Sequence, residues 1–307
     1  MPKVSLVIPA WNAKDFLSLC LKSIFQQSYR EFEVIVIDNG SNDGSYNYIQ
    51  TYFPQVILII NKVNLGASFA RNQGIEKARG DWVVTLDADV ILNKDFLEKM
   101  VSSFNGKGNK LGMLAAKVYN GTGKIHTTGI ALSRSRRFYD RGKNQFDQEQ
   151  FDGALDILGP SSVAALYKKE MLEEVKIKDE YFDNDFSFLV EDVDLAWRAN
   201  KFGWKGRLVP EAICFHRGNS SNMDKKLRQY LCFRNRYFLI LKNENFRRII
   251  LSIPVLIFYD FPRFLFLLTC NPYVMRTVKD LKKYSKNMLE KRKIIKVKLN
   301  ANIRVSS

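Results

Sequence analysis

Three short, β-branched apolar runs, each stopping at a polar or tight-turn residue, restrict the folds open to this chain more than any other feature. They are Val4 to Pro9 (VSLVIP), Phe32 to Ile37 (FEVIVI) and Trp82 to Leu86 (WVVTL). Runs of this length and composition suit strands buried on both faces, as in parallel sheets. Between the first two, Phe16, Leu17, Cys20, Leu21, Ile24 and Phe25 recur at spacings of three and four, giving one helical face over Asp15 to Gln27. Ser45 to Phe53 and Ala67 to Ala78 read as further helices, and Val56 to Asn61 as a strand. This alternation predicts right-handed crossovers and an α/β, doubly wound, mostly parallel, Rossmann-like sheet. In such sheets ligands bind beyond the carboxyl ends of the strands, where Ala10, Asp38 and Asp87 fall.

The pattern then weakens, with glycines at 106, 108, 112, 121, 123 and 129. A helix near Lys94 to Phe104, strands near Met113 to Val118 and at Ile130, and a long polar loop over Ser133 to Gln150 are expected. A strand over Val163 to Tyr167, a helical turn over Lys169 to Glu174, a helix over Val193 to Phe202 and a short strand over Leu208 to His216 follow. With 307 residues and 46% hydrophobic content, the chain can bury one large core plus a modest appendage, which excludes disorder throughout.

Four places carry the chemistry. In LDADV, Asp87 and Asp89 lie two apart after a strand, a spacing that can hold Mg²⁺ or Mn²⁺ against a diphosphate. An Asp-rich turn capping the next helix is the plainer account. In Asp38 to Ser45, a strand-end carboxylate can accept from a nucleobase or ribose while glycines let the backbone approach; no GxGxxG accompanies it. Glu191, Asp192 and Asp194 open an amphipathic helix, where capping explains one carboxylate but not three, and one held there can act as a general base. His216, one of two histidines, follows a strand and can complete a metal shell or serve structurally. His126 has no acidic motif beside it and reads as a loop residue.

Together these segments resemble family 2 glycosyltransferases, the inverting group with a GT-A fold. VSLVIPAWN, VIVIDNGSNDGS, NLGASFARNQGIEKARGDWVVTLDAD and FDNDFSFLVEDVDLAWRANKFGWKGRLVPEAICFH carry the likeness in order across residues 3–220. The resemblance implies that Pro9, Ala10, Asn12 and Asp38 line a nucleoside pocket, with Asn64, Gly66, Arg71 and Ala88 at the donor. It assigns Asp87 to the ribose or metal, Asp89 to the metal, Asp192 to proton removal and Glu191 to the acceptor site, and gives His216 contact with metal or diphosphate. A rhamnosyltransferase-like subgroup acting on bacterial surface polysaccharides is the nearest in character, with UDP-hexose or UDP-N-acetylhexosamine donors as alternatives. Leu158 to Val163 (LGPSSV) departs from the small pair many such members carry, and Gln229 to Phe233 lacks the processive Q-x-x-R-W signature, which points to single transfer.

Charge divides the chain in two. Residues 1–216 hold 27 basic against 27 acidic side chains, whereas residues 217–307 hold 21 against 5, so the last part supplies the whole net charge of +16. Ile249 to Cys270 is long enough to span a bilayer but carries Pro254, Asp260, Pro262 and Arg263, which favours an interfacial broken hairpin. Arg247, Arg248, Arg263 and Arg276, with lysines from Lys279 to Lys298, suit an anionic membrane or a lipid-linked acceptor; a helical subdomain packed on the core stays open. No nucleic-acid motif accompanies the charge. The expected organisation is a GT-A unit over 1–220, with donor half 1–110 and acceptor half 111–220, and a helical, basic, membrane-associating extension over 221–307.

The N-terminus is too short in apolar residues for a secretory signal, and Cys20, Cys214, Cys232 and Cys270 show no pairing pattern. Buried thiols in a cytoplasmic protein, peripheral on the inner face of the membrane, are expected. Two other classes remain open. A nucleotidyltransferase would want a glycine-rich, cationic loop where PAWNAKDF stands, and a non-catalytic nucleotide-sugar-binding module would not need these carboxylates.

Overall fold

The computed structural model describes residues 2–104, 110–133, 136–218, 223–251 and 253–305. Gly106, Gly108 and the expected boundary at 220/221 lie outside these. The elements run β1 (Val4–Ala10), α1 (Lys14–Phe25), β2 (Phe32–Asp38), α2 (Ser45–Tyr52), β3 (Ile57–Ile60), α3 (Ala67–Lys77), β4 (Trp82–Leu86), β5 (Val90–Leu92) and α4 (Phe96–Ser102). There follow β6 (Leu111–Asn120), β7 (Ile125–Thr127), β8 (Ile130–Leu132), β9 (Phe138–Asp140), β10 (Asp156–Ile157), β11 (Ala164–Lys168), α5 (Lys169–Val175), α6 (Glu191–Lys201) and β12 (Lys205–His216). The C-terminal part is α7 (Lys225–Asn243), α8 (Phe246–Leu251), α9 (Ile253–Cys270) and α10 (Arg276–Val305).

The main sheet has the order β10-β12-β6-β11-β4-β1-β2-β3, with β5 paired to β12 and β7 to β6. β3, β2, β1 and β4 are mutually parallel, as are β6 and β12, while β11 joins the two groups antiparallel to both neighbours. Alternate residues of each strand face opposite layers: Leu6 and Ile8 pack under α1, while Val7, Ile35 and Ile37 pack under α3. Gly74 of α3 lies so close that an added Cβ would stand 2.3 Å from Val7 Cγ1.

Several local expectations are corrected. The 133–150 stretch is not all loop, because Phe138–Asp140 pairs with Ile130–Leu132. The last strand is 12 residues long, because Lys205, Gly206 and Arg207 ahead of Leu208 pair with β6 and the latter two also with β10. α6 starts at Glu191, two residues before the expected Val193, so its first turn holds all three of Glu191, Asp192 and Asp194. Cys20 and Cys214 are buried as expected, Cys232 is half-buried and Cys270 is exposed.

The extension does not stand apart. α10 lays Met288 and Ile295 into the core beside α6 and α7, and α9 is tied to α7 by the buried pair Arg236 Nη1–Asp260 Oδ1 at 2.6 Å. α9 widens to a π-helical stretch over Leu256–Asp260, just ahead of Pro262, whose ring cannot enter a regular helical ladder.

Candidate active site

A cavity of about 950 Å³ opens at the carboxyl ends of β1, β2 and β4. On its floor β4 ends and turns sharply through Asp87, Ala88 and Asp89, with the Val90 amide donating to the Asp87 carbonyl. β5 then runs antiparallel to the end of β12, so His216 stands opposite Val90 and beside Asp89. His216 Nε2 is 3.2 Å from Asp89 Oδ1, and the ligand atoms of Asp87, Asp89 and His216 lie within 4.8 Å of one another. Two carboxylates and an imidazole open to a cavity are a donor set that fits Mg²⁺ or Mn²⁺. Burial alone would depress the His216 imidazole, but the hydrogen bond and charge of Asp89, with Asp87 behind it, hold its pKa above the ordinary value.

Arg71, on α3, joins this floor to the opposite wall. Its Nη2 donates to Asp87 Oδ1 at 2.9 Å and its Nη1 to Glu191 Oε1 at 2.5 Å, both from a buried guanidinium. Burial raises the pKa of Asp87 despite Arg71 and His216.

The carboxylates of α6 separate because successive helical residues turn by about 100°. Glu191 meets Arg71, while Asp194 points away into a buried group with Arg198, Lys242 and Asn243. Asp192 remains on the cavity wall, where its Oδ2 accepts from the Ser162 amide at 3.1 Å and its Oδ1 from the Val193 amide at 2.8 Å. Burial, then the charge of Glu191, pushes its pKa up to about 7 against the Ser162 amide and Arg71. Gly159 lets the LGPSSV segment reach this helix, since a Cβ there would lie 2.4 Å from Ala196 Cβ.

The wall between donor floor and α6 is the segment Ser187–Val190, in which Ser187, Leu189 and Val190 have φ of 64°, 69° and 73°. Side chains in the left-handed region cost about 1–3 kcal/mol each and persist where surrounding contacts over-determine them. Gly66 abuts this segment: its φ is +90°, and a Cβ would stand 2.9 Å from the Ser187 carbonyl oxygen.

Of the expected site residues, Pro9, Ala10, Asn64, Gly66, Arg71, Asp87, Ala88, Asp89, Glu191, Asp192 and His216 line this one cavity. Asn12 and Asp38 lie behind the wall. Asp38 is buried with Oδ1 accepting from the Ser41 amide, and Asn12 Oδ1 accepts from the Asn42 amide, so both brace the loop. Asn39 takes the inner position: its side-chain amide donates to Asn64 Oδ1 at 2.9 Å, and its Oδ1 accepts from the Leu65 amide at 3.1 Å. In sequence, a carboxylate at a strand end is the stronger chemical signal of the two, and Asn39 carries none of its own. His126 is not a loop residue. It lies on β7, lines the cavity, and its ring meets that of His216 edge-on at 4.6 Å. Burial and His216 lower its pKa to about 4. β7 and β12 both pair with β6, and this shared neighbour brings the two histidines together from positions 90 residues apart, so no local sequence signal could have joined them.

A mostly parallel sheet with a cavity beyond its strand ends, a strand-end pair of aspartates and a carboxylate on a facing helix make up an α/β fold of the GT-A class. The sequence profile described as Glycosyl transferase family 2 matches residues 5–176, and the chain belongs to that family. It is similar to the poly-beta-1,6-N-acetyl-D-glucosamine synthase of Staphylococcus epidermidis, at 28% identity over 69% of this chain and 49% of that one. It is also similar to the amylovoran biosynthesis glycosyltransferase AmsB of Erwinia amylovora, at 27% identity over 68% of this chain and 67% of that one. The chain spans about half the length of the first curated relatives it matches, such as 45% of an uncharacterized glycosyltransferase of Bacillus subtilis. Among solved structures, a mannosyltransferase of Pyrobaculum calidifontis in complex with GDP-Man and Mn²⁺ aligns with 98% of this chain and 86% of its own, with TM-score 0.58 and 15% identity. S. aureus TarS in complex with UDP-GlcNAc aligns with 79% and 68%, with TM-score 0.55 and 20% identity.

Proposed function

We propose that the chain is a metal-dependent, inverting glycosyltransferase that moves one sugar from a nucleoside diphosphate donor to a hydroxyl of a saccharide or lipid-linked saccharide in surface-polysaccharide synthesis. The observation that carries this reading is the Arg71 bridge, which sets a metal-fitting trio and a half-buried carboxylate of raised pKa on facing walls of one cavity. Asp87, Asp89 and His216 would hold the ion, which when bound offsets the charge gathering on the departing diphosphate. Asp192 takes the proton of the acceptor hydroxyl onto its carboxylate. The hydroxyl oxygen bonds to the anomeric carbon from the face opposite the phosphate as the carbon–phosphate oxygen bond breaks, and the configuration inverts. The nucleoside diphosphate then leaves.

The acceptor reading draws support from the cavity lining, which includes Lys143, Arg217 and Arg228 as well as Leu227 and Leu231 of α7, a mixture suited to a phosphate next to a lipid. A peripheral position on the cytoplasmic face of the membrane draws support from α9. This helix is long and apolar enough to cross a bilayer, only 11% of it is buried, and Asp260 and Arg263 interrupt its middle. Interfacial lodging fits better, because the Arg236–Asp260 pair holds α9 along the protein.

The relatives' names widen the donors worth testing from dTDP-rhamnose to UDP-N-acetylhexosamines and GDP-mannose. A thermal-shift screen of dTDP, UDP and GDP sugars with Mn²⁺, followed by detection of released nucleoside diphosphate, tests the reading. A donor that raises Tm and releases its diphosphate with an acceptor supports transfer. Binding without release for every donor and acceptor would leave a nucleotide-sugar-binding module.

A further inference from the structure

Asn235 of α7 is fully buried and does not line the cavity, yet its side chain reaches the wall that does. Its Nδ2 donates to the carbonyls of Phe186 at 3.2 Å, Phe188 at 3.0 Å and Leu189 at 2.7 Å, while its Oδ1 accepts from Arg234 Nε at 2.9 Å. Arg234 Nη2 donates to the Phe186 carbonyl as well, at 3.1 Å. The clamped segment is the one with three left-handed side-chain-bearing residues. At its start the Ser187 carbonyl accepts from the Ser68 amide at 3.2 Å, next to Gly66 of the donor loop; at its end Val190 leads into Glu191 and Asp192. A strained strap therefore runs from donor loop to α6, and one amide from the C-terminal helices satisfies its carbonyls. Strain of this kind persists only while such contacts outweigh it.

We propose that Asn235 is a positioning residue for the transfer reaction: by clamping the Phe186–Leu189 carbonyls it sets where α6 presents Asp192 relative to the donor loop. The idea rests on the glycosyltransferase reading for its kinetic consequence and on the strap geometry alone for its structural one. It also makes the basic C-terminal part a component of the active site, through a residue outside the region matched by the family profile.

The test compares Asn235→Ala and the nearly isosteric Asn235→Asp, which loses the N–H donors, with Gln27→Ala. Gln27 is an equally buried amide that donates to the Ser23 and Asn93 carbonyls and accepts from the Leu97 amide, away from the cavity. In the full chain, both Asn235 variants are expected to show faster amide hydrogen exchange across residues 187–193, with 67–75 unchanged. Their kcat should fall about 100-fold with donor KM within about twofold, as expected for a displaced catalytic group. Gln27→Ala should lose Tm but keep kcat. Unchanged exchange across 187–193, retained kcat in folded Asn235 variants, or equal kcat losses in all three would overturn the proposal, as would failure of both Asn235 variants to fold. A wild-type protein that releases no nucleoside diphosphate defeats the glycosyltransferase reading instead, and the exchange comparison still decides the strap.

Discussion

The Arg71 guanidinium serves two carboxylates from different walls, and its charge is shared between Asp87 and Glu191. Glu191 is then close enough to Asp192 for its charge to be the second largest cause, after burial, of the raised Asp192 pKa. Only the anion of Asp192 can take a proton, so kcat/KM should rise about tenfold per pH unit below pH 7 and level off above it. Glu191→Gln removes the neighbouring negative charge and should move that limb to lower pH; a pH–rate series on both proteins checks the direction. Asp192→Asn should lower kcat by about 10²–10⁴ while leaving donor KM nearly unchanged. Stability should move the other way. A carboxyl whose folded pKa is raised penalises the folded state as pH climbs from its unfolded value near 4 toward 7, and the penalty is complete above 7. The Asn variant should therefore melt above the parent at pH 8, with the gap closing toward pH 4 in a series of thermal scans. A lower Tm for the variant at pH 8 would show that the Ser162 and Val193 amides outweigh burial.

At the scale of elements, two glycines mark where backbone approach matters for different reasons. Gly74 meets only core side chains, so Gly74→Ala should cost about 1–3 kcal/mol by overpacking, read as a lower denaturant midpoint, while kcat of the folded fraction holds. Gly66 combines a positive φ with contact to the Ser187 carbonyl, so Gly66→Ala should weaken donor binding beyond its stability cost; titration with donor and Mn²⁺ separates the two effects. The sequence exposed the elements in proportion to how local their causes are. β1, β2 and β4 were legible as continuous apolar runs, and the Asp87-Ala88-Asp89 turn as their punctuation, because burial and turn chemistry leave direct marks in composition. What decides the rest of the site is pairing between distant strands. β5 against β12 brings His216 to Asp89, β7 and β12 against β6 bring His126 to His216, and α7 supplies the clamp on 186–189 from far along the chain. Which of Asp38 and Asn39 lines the cavity is subtler, since neighbouring residues at a strand end face opposite ways and sequence alone does not show the direction of either side chain.

Across the whole molecule, the excess positive charge of the last part divides into two populations with different work. Lys242 and Lys291 are buried: Lys242 Nζ lies 2.6 Å from Asp183 and 2.8 Å from Asp194, and Lys291 Nζ lies 2.8 Å from Asp185. Burial raises and the two lysines more strongly lower the Asp183 carboxyl, which is held well below the ordinary range. These charges stitch α7 and α10 to the base of α6 and are unavailable to a partner. Arg234 and Arg236 are buried as well, whereas exposed Arg247 and Arg248 on α8 and Arg276 and Lys279 after α9 bracket in sequence an apolar face where Leu251, Phe258 and Phe266 are 78%, 80% and 68% exposed. Aromatic side chains on that scale in water favour a lipid interface, with each nearby Lys or Arg adding about 1 kcal/mol toward anionic headgroups. Replacing Phe258 and Phe266 together by Asp should therefore abolish co-sedimentation with anionic vesicles at low salt, leave kcat toward a soluble saccharide acceptor unchanged, and reduce turnover of a vesicle-embedded one. Raising salt on the parent should weaken vesicle binding only in part, because the aromatic contribution is unscreened. Equal sedimentation of parent and double variant would assign the binding to charge alone and return α9 to a structural role against α7.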